Sequence, residues 1–591
     1  MRYMKKVFLL LFTITACTTA DKKATETTKS FSDFLEAYYE ERLSLFPLEA
    51  THTGDARYNN LLPNDISEAH RSKLNAFYSK YQDELGQYQR NALTSQEQVS
   101  YDVFKREMEI SLKGLTFKDH YMPVQQFSAL TLTLPQIGSG QSFQPFKSVK
   151  DYENFLSRID GFAVWIDTAI VNMRKGLGTG YTFPKVLMER VLPQAQDMIV
   201  ADVKQSIFWQ PIANMPDSIT VSDKTRISEA YSKAISEKIV PSYRKLHDFI
   251  RDEYIPKTRI TSGLSDTPGG KEHYQHLINF WTTTNLTPDE VYNTGLSEVA
   301  RITAEMERVK KEVGFHGDLK AFFAYVNNDK KFMPFKTPME VIEGFHSIHV
   351  KMEAQLKKLF NMVPKTSFEV RQTEAFRAAS ASAEYNQGSQ DGSRPGIFYV
   401  PILNAKTFNY TGMETLFLHE AIPGHHYQTS LQQENQELPR FRRFLWYGAY
   451  GEGWALYAES LGKELGLYND PYQYFGNLGD EMHRAIRLVV DVGLHTKGWT
   501  REQAIKYMLD NEAISEQGAA AEIERYMAIP GQALSYKIGQ LKIIELRKRA
   551  SETLGDSFNI ALFHDEVLKY GCLPLDVLES LINSWIEEQI K

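Results

Sequence analysis

Cysteine is almost absent from this chain: there are two in 591 residues, Cys17 and Cys572. A disulfide framework and a Cys-rich zinc or iron–sulfur cluster are therefore excluded, and any bound metal must draw on His, Asp or Glu. An excess of positive charge is missing too. The 67 Lys and Arg stand against 74 Asp and Glu, a net charge of −7, which argues against a nucleic-acid partner. The apolar run at the N-terminus, Val7 to Ile14, is too short to span a bilayer as a helix. No internal repeat is visible. What is present, 42% hydrophobic and 24% charged residues, is a globular composition with enough apolar material for a large core.

The first residues combine a basic start (Arg2, Lys5, Lys6), that short apolar run, and small residues before Cys17, which reads as a secretory signal over 1–16. Ile14-Thr15-Ala16-Cys17 resembles the bacterial lipobox, whose cysteine becomes the lipidated first residue of the mature protein. Removing residues 1–16 takes away three positive charges, so −7 becomes −10. Residues 17–30 carry no apolar pattern and read as a flexible tether from lipidated Cys17. The expected location is the cell envelope, with the membrane engaged through the N-terminal lipid alone.

From Phe31 to Lys591 the pattern is helical, and a single domain is expected. Capping-box signatures open helices at Thr287, Thr337 and Thr500, and the first is followed by Leu296, Val299, Ile302 and Met306 at helical spacing. The turn-rich stretch 261–270 is the best internal boundary, separating two lobes of that domain. One extended element, 396–403 (GIFYVPIL), is β-branched and aromatic. Pro401 lacks a ladder donor, so an edge strand is expected, where an extended peptide could pair by strand addition.

The chemistry concentrates in 411–430, TGMETLFLHEAIPGHHYQTS. His419-Glu420 followed by His425-His426 resembles a zincin helix stretched by two residues. In the ordinary H-E-x-x-H pattern two histidines one turn apart bind zinc and the adjoining Glu is the general base. At about 100° per residue, His419 and His425 on a straight helix would point roughly 120° apart, and His426 would lie about 10 Å along the axis from His419. Neither pair could share an ion. Pro423 and Gly424 supply the remedy, and an interruption of the helix is expected at 421–424.

A third ligand is needed, and Glu452 lies 27 residues after His425 on the next helix, across a polar loop. This is helix–loop–helix spacing for two His and one Glu holding one Zn2+ with an open water position. Glu459, two turns on, is a reserve ligand or an acceptor that orients a ligand histidine. Arg487, Asp491 and His495 fall at i, i+4 and i+8 on one helical face, placed to bind substrate or orient a ligand. Tyr536 offers a phenol that could donate to an oxyanion, and Arg394 offers a guanidinium fork for a terminal carboxylate. Tyr399, on the extended element, is a further substrate-binding candidate.

The strings DGSRPGIFYV (391–400), LHEAIPGHHYQ (418–428), GEGWALYAESLG (451–462), RLVVDVGLHTKGWTREQAI (487–505), PGQALSYKIG (530–539) and FHDEVLKYGCLPLDVLESLI (563–582) together resemble the bacterial family catalogued as domain of unknown function 885. That family's fold is similar to zinc carboxypeptidases of the Taq type and, more distantly, to thimet oligopeptidase. The resemblance implies a mainly α, two-lobed, zincin-like metallopeptidase fold, with a deep cleft, a small antiparallel sheet on one wall and the metal at its base. Matching Gly424-His425 to the Gly-His that closes the relatives' motif implies His419, His425 and Glu452 as ligands and Glu420 as base. Tyr536 falls where those enzymes carry a tyrosine. The stretched motif leaves His425 or His426 as the second ligand.

The expected activity is zinc-dependent hydrolysis of short or unfolded peptides, by a carboxypeptidase or oligopeptidase. Glu420 takes a proton from water, and Tyr536 or His495 stabilises the oxyanion. The rival expectations are a zinc amidohydrolase acting on non-peptide amides or amino-acid conjugates, and a lipid-anchored binding protein with a degenerate site.

Overall fold

The computed structural model describes residues 29–374, 378, 382–388 and 394–591. Cys17, the signal and nearly all of the tether lie outside the described residues. The described chain is mainly helical, with one three-stranded sheet. No described helix is long and apolar enough to cross a membrane.

Helix starts follow local chemistry. Thr287 and Thr500 both close capping boxes, and Thr287 opens α1 (Pro288–Glu312). At Thr337 the box is half made. The hydroxyl accepts from the Glu340 N–H, while the Glu340 carboxylate reaches the Lys336 N–H instead. On α1 the buried stripe holds Val299, Ile302 and Met306 as the spacing predicts, but Leu296 is 40% exposed and Gly295 takes the inward position. A β-carbon on Gly295 would lie 2.7 Å from Leu488, so only glycine admits the neighbouring helix that closely.

The sheet overturns two expectations: the strand from 396 is not an edge, and the sheet is mixed, not antiparallel. Its strands are β1 (Phe368–Gln372), β2 (Glu384–Asn386) and β3 (Gly396–Val400), in the order β1-β3-β2. The strand from 396 is therefore central, parallel to β1 and antiparallel to β2, with Phe398 paired to Val370 and Tyr385. Ile397, Phe398 and Val400 are all buried, so both faces are covered and the run reads as continuously apolar. Pro401 falls just past the last paired residue, where its missing donor costs no ladder bond. No substrate can add to β3, because both its edges are taken.

The apolar residues form two buried clusters, and the chain alternates between them. The first core takes Phe31 to Met108, and the second takes Val124 to Tyr254. The stretch 261–270 marks the return to the first core at Leu264, but the chain then re-enters the second with Val299 to Phe332 and again with Ala504 to Ala533. The remaining site helices are α2 (Met413–Glu420), α3 (His425–Glu434), α4 (Gly448–Ser460), α5 (Pro471–Thr496) and α6 (Ser535–Leu554). Helix α5 serves both cores, with Leu488 and Val492 in the first and Met482, Ile486 and Val489 in the second.

Candidate metal centre

Helix α2 stops at Glu420 and α3 starts at His425, so the helix is interrupted over 421–424. Ala421 (φ −104°, ψ −101°) and Gly424 (φ −73°, ψ −129°) both leave helical geometry. Gly424 packs so tightly under the preceding turn that a β-carbon there would lie 1.9 Å from the His419 carbonyl oxygen and 2.3 Å from that of Leu418. The Trp454 indole N–H pins the turn from α4 by donating to the Pro423 carbonyl at 2.8 Å. The chain thus re-aims His425 beside His419, with ring centroids 4.7 Å apart.

Glu452 projects from α4 between the two imidazoles. Its Oε2 lies 3.6 Å from His419 Nε2 and 3.5 Å from His425 Nε2. Those separations exceed the roughly 2.7–2.9 Å of a charge-assisted hydrogen bond. They match the edge of a tetrahedron whose bonds from zinc to N or O are about 2.1 Å, which separates donor atoms by roughly 3.4 Å. The three donor atoms all fall within 4.8 Å of one another. Glu452 Oε2 and His425 Nδ1 are buried with no hydrogen-bond partner. An orphaned carboxylate oxygen facing two imidazole nitrogens is the donor set of a two-His, one-Glu zinc site, and these residues fit that ion.

Glu459 completes the arrangement from one side. It is 2% exposed, and His419 Nδ1–H donates to its Oε1 at 2.7 Å, leaving Nε2 as the ring nitrogen turned toward Glu452. Burial alone would depress the His419 imidazole, yet Glu452, Glu459 and Glu420 outweigh it and hold it up at about 10. Three carboxylates around two imidazoles thus create a site that demands positive charge. Burial would raise Glu452, but the two histidines bring its carboxyl well below the usual range.

Glu420 is buried next to His419 at the end of α2. Tyr536 enters from α6, which packs on α4 through Gly453 and Gly539. Burial, then the Glu452 charge, raises its phenol. The Arg487 guanidinium lies over the Tyr536 ring at 4.7 Å, held by Tyr526 Oη at 3.0 Å and His483 Nε2 at 3.1 Å. Arg487 therefore supports Tyr536 from behind.

His495 and Asp491 are engaged elsewhere, and His426 turns away. Its Nδ1 meets Tyr385 Oη at 3.0 Å and its ring sits against Phe368, so it buttresses the sheet; burial lowers it to about 4. His495 is fully buried, with Nδ1 accepting from the Leu264 N–H and Nε2 facing the Tyr526 carbonyl, both at 3.0 Å. Both nitrogens are consumed by backbone, and the imidazole cannot reach an oxyanion. Asp491 accepts from Tyr274 Oη at 2.5 Å and from the Gly531 N–H at 3.1 Å, anchoring the turn that leads to Tyr536 instead of meeting the donor cluster. Arg394 stands exposed just before β3, and Tyr399 lies within the sheet opposite Arg371 and Glu384.

One residue at the centre escaped sequence reasoning. Trp446 is 47% exposed, lies with its ring 5.8 Å from that of His425, and covers Gly451, where a β-carbon would come within 2.1 Å of the indole. The only signal was the glycine in α4, whose partner cannot be read from the chain.

No curated protein matches the sequence. Among solved structures, one from Colwellia psychrerythraea, provisionally described as a lipoprotein, shares 27% identity at a TM-score of 0.85, covering 95% of this chain and 99% of that one. Another, from Shewanella oneidensis and described as a lipoprotein of unknown function in the same provisional way, shares the fold at 20% identity and a TM-score of 0.75, over 94% and 100%. A family model described as "Bacterial protein of unknown function (DUF885)" matches residues 47–582. The chain belongs to this family.

Proposed function

We propose that the protein is a zinc-dependent peptidase of the bacterial cell envelope, acting on short peptides as a carboxypeptidase or oligopeptidase. The observation that carries this reading is the spacing of Glu452 Oε2 from the two histidine nitrogens, 3.6 and 3.5 Å around an oxygen with no hydrogen bond. His419, His425 and Glu452 would hold the ion. When bound, zinc supplies Lewis-acid polarisation of a scissile carbonyl and of a water.

The chain's own residues account for the remaining chemistry. Glu459 fixes the His419 tautomer by accepting from Nδ1. Glu420 is the base that takes a proton from the attacking water and returns it to the leaving amine. Tyr536, steadied by Arg487 across its ring, donates its phenol to the oxyanion. The two interleaved cores are read as two lobes of a zincin-like fold with the centre in the cleft between them. Cys17 is read as a lipid anchor, in keeping with the provisional descriptions of the two structural relatives.

Metal analysis of the full protein beside a peptide screen tests the proposal. One zinc per chain and cleavage of free-ended peptides are expected. Loss of cleavage on C-terminal amidation identifies carboxypeptidase action, and cleavage of amidated peptides identifies an oligopeptidase. A chain with stoichiometric zinc that cleaves no peptide overturns the peptidase reading.

A further inference from the structure

Beside the candidate centre, a cavity of about 230 Å3 opens between the N-terminal helix Phe31–Leu45, the helix Ser95–Gly114 and the segment 441–446. Its aromatic walls are Tyr38, Tyr39, Phe441 and Trp446. Trp446 is shared, because it lines the cavity and its ring lies 5.8 Å from the His425 ring. A ligand seated in the cavity therefore adjoins the site where the chemistry is placed.

The charges in this cavity are unbalanced. Arg42 is spent on Glu49, which it meets through two hydrogen bonds of 3.0 and 2.7 Å. Glu107, also in the wall, has no such partner. Its Oε1 accepts from Tyr447 Oη at 2.7 Å, and among the described residues it has no ion pair and no second hydrogen bond. Aromatic faces and a carboxylate without an ion-pair partner both favour a cation, the first through ring quadrupoles and the second through direct charge.

We infer that this cavity is a subsite for a cationic group of the substrate, an amino terminus or a Lys or Arg side chain, with Glu107 as its counter-ion and Trp446 as the wall shared with the metal centre. Burial pushes the Glu107 carboxyl upward, outweighing the Tyr447 hydrogen bond and the Arg42 and Arg106 charges that pull it down. The inference rests on the peptidase reading only in calling the occupant a substrate; the binding itself does not depend on hydrolysis.

The test is calorimetric titration of the full protein carrying Glu420→Gln with N-acetyl-L-arginine amide and with its uncharged counterpart N-acetyl-L-norleucine amide. The arginine amide should bind about tenfold more tightly, the worth of one charge-assisted contact. Adding Glu107→Gln should abolish that preference and leave norleucine-amide binding unchanged. Equal binding of the two amides, or a preference that survives Glu107→Gln, overturns the subsite. Should Glu107→Gln fail to fold, Trp446→Ala is read instead: weakened arginine-amide binding supports the subsite, and unchanged binding overturns it. A protein that holds no zinc but shows the Glu107-dependent preference would sink the peptidase reading and leave the subsite standing.

Discussion

Gly453 and Gly539 meet backbone to backbone: a β-carbon on Gly539 would lie 2.7 Å from the Gly453 α-carbon and 1.8 Å from the Ala449 carbonyl oxygen. This contact lets α4, which carries Glu452, and α6, which carries Tyr536, approach closely. Gly539→Ala must push the two helices apart, because backbone atoms cannot rotate aside. Overpacking of this kind costs about 1–3 kcal/mol. A lower thermal midpoint and weaker zinc retention are expected, measured by scanning calorimetry and chelator competition.

Gly424→Ala should act more locally. The obstructing atoms are the carbonyl oxygens of Leu418 and His419, so the turn over 421–424 must reopen and carry His425 with it. Zinc should be lost from the purified variant while far-ultraviolet circular dichroism stays near wild type. Full zinc occupancy would contradict this role for the turn.

Glu420→Gln separates binding from chemistry. The amide keeps the shape of the side chain but cannot take a proton, so hydrolysis should fall by about 10²–10⁴-fold with zinc content intact. Full activity in this variant would remove Glu420 from the mechanism.

Glu459→Gln and His426→Ala form a contrasting pair. Losing the carboxylate that accepts from His419 Nδ1 should weaken zinc by about 10–100-fold. His426→Ala should retain zinc, because its ring faces Tyr385 and Phe368 in the sheet, though it should destabilise the fold. Zinc loss in His426→Ala with retention in His425→Ala would reverse the ligand assignment.

Acid should destabilise the fold through imidazoles that burial keeps neutral. His495 and His564 are held down at about 3 against an ordinary 6.5. The unfolded chain takes up a proton on each as the pH drops below 6.5, while the folded chain does not. Their contribution is thus fully present above pH 6.5 and lost as the pH falls toward 3, by up to about 1.4 kcal/mol per pH unit for each. The thermal midpoint of His495→Asn should depend less steeply on pH between 4 and 6.5 than that of wild type.

The His–Glu cluster was legible because its residues are local. The separation of His419 from His425 is incompatible with a straight helix, and Pro423-Gly424 marks where the helix yields. Glu452 and Glu459 follow at helical spacing on the next element. The sheet order was not legible, since a five-residue apolar run reads alike at an edge and at a centre, and its neighbours arrive from 368–372 and 384–386. His495 shares a helical face with Arg487 and Asp491, but the Leu264 N–H that occupies its Nδ1 comes from 231 residues away. Glu107 stayed hidden for the same reason, as its partner Tyr447 lies 340 residues away, while Trp446 has near neighbours in His425 and Gly451 but no motif that marks the contact.

The alternation of the chain between its two cores bears on how the protein can be divided. A fragment ending near residue 260 would hold much of the second core but lack Val299 to Phe332, the α5 residues and Ala504 to Ala533. The complementary fragment would lack Phe31 to Met108 from the first core, together with Tyr38 and Tyr39 beside Trp446. Neither piece holds a complete core. A protease nick in an exposed loop should leave the two halves associated, and separating them would expose apolar surface on both.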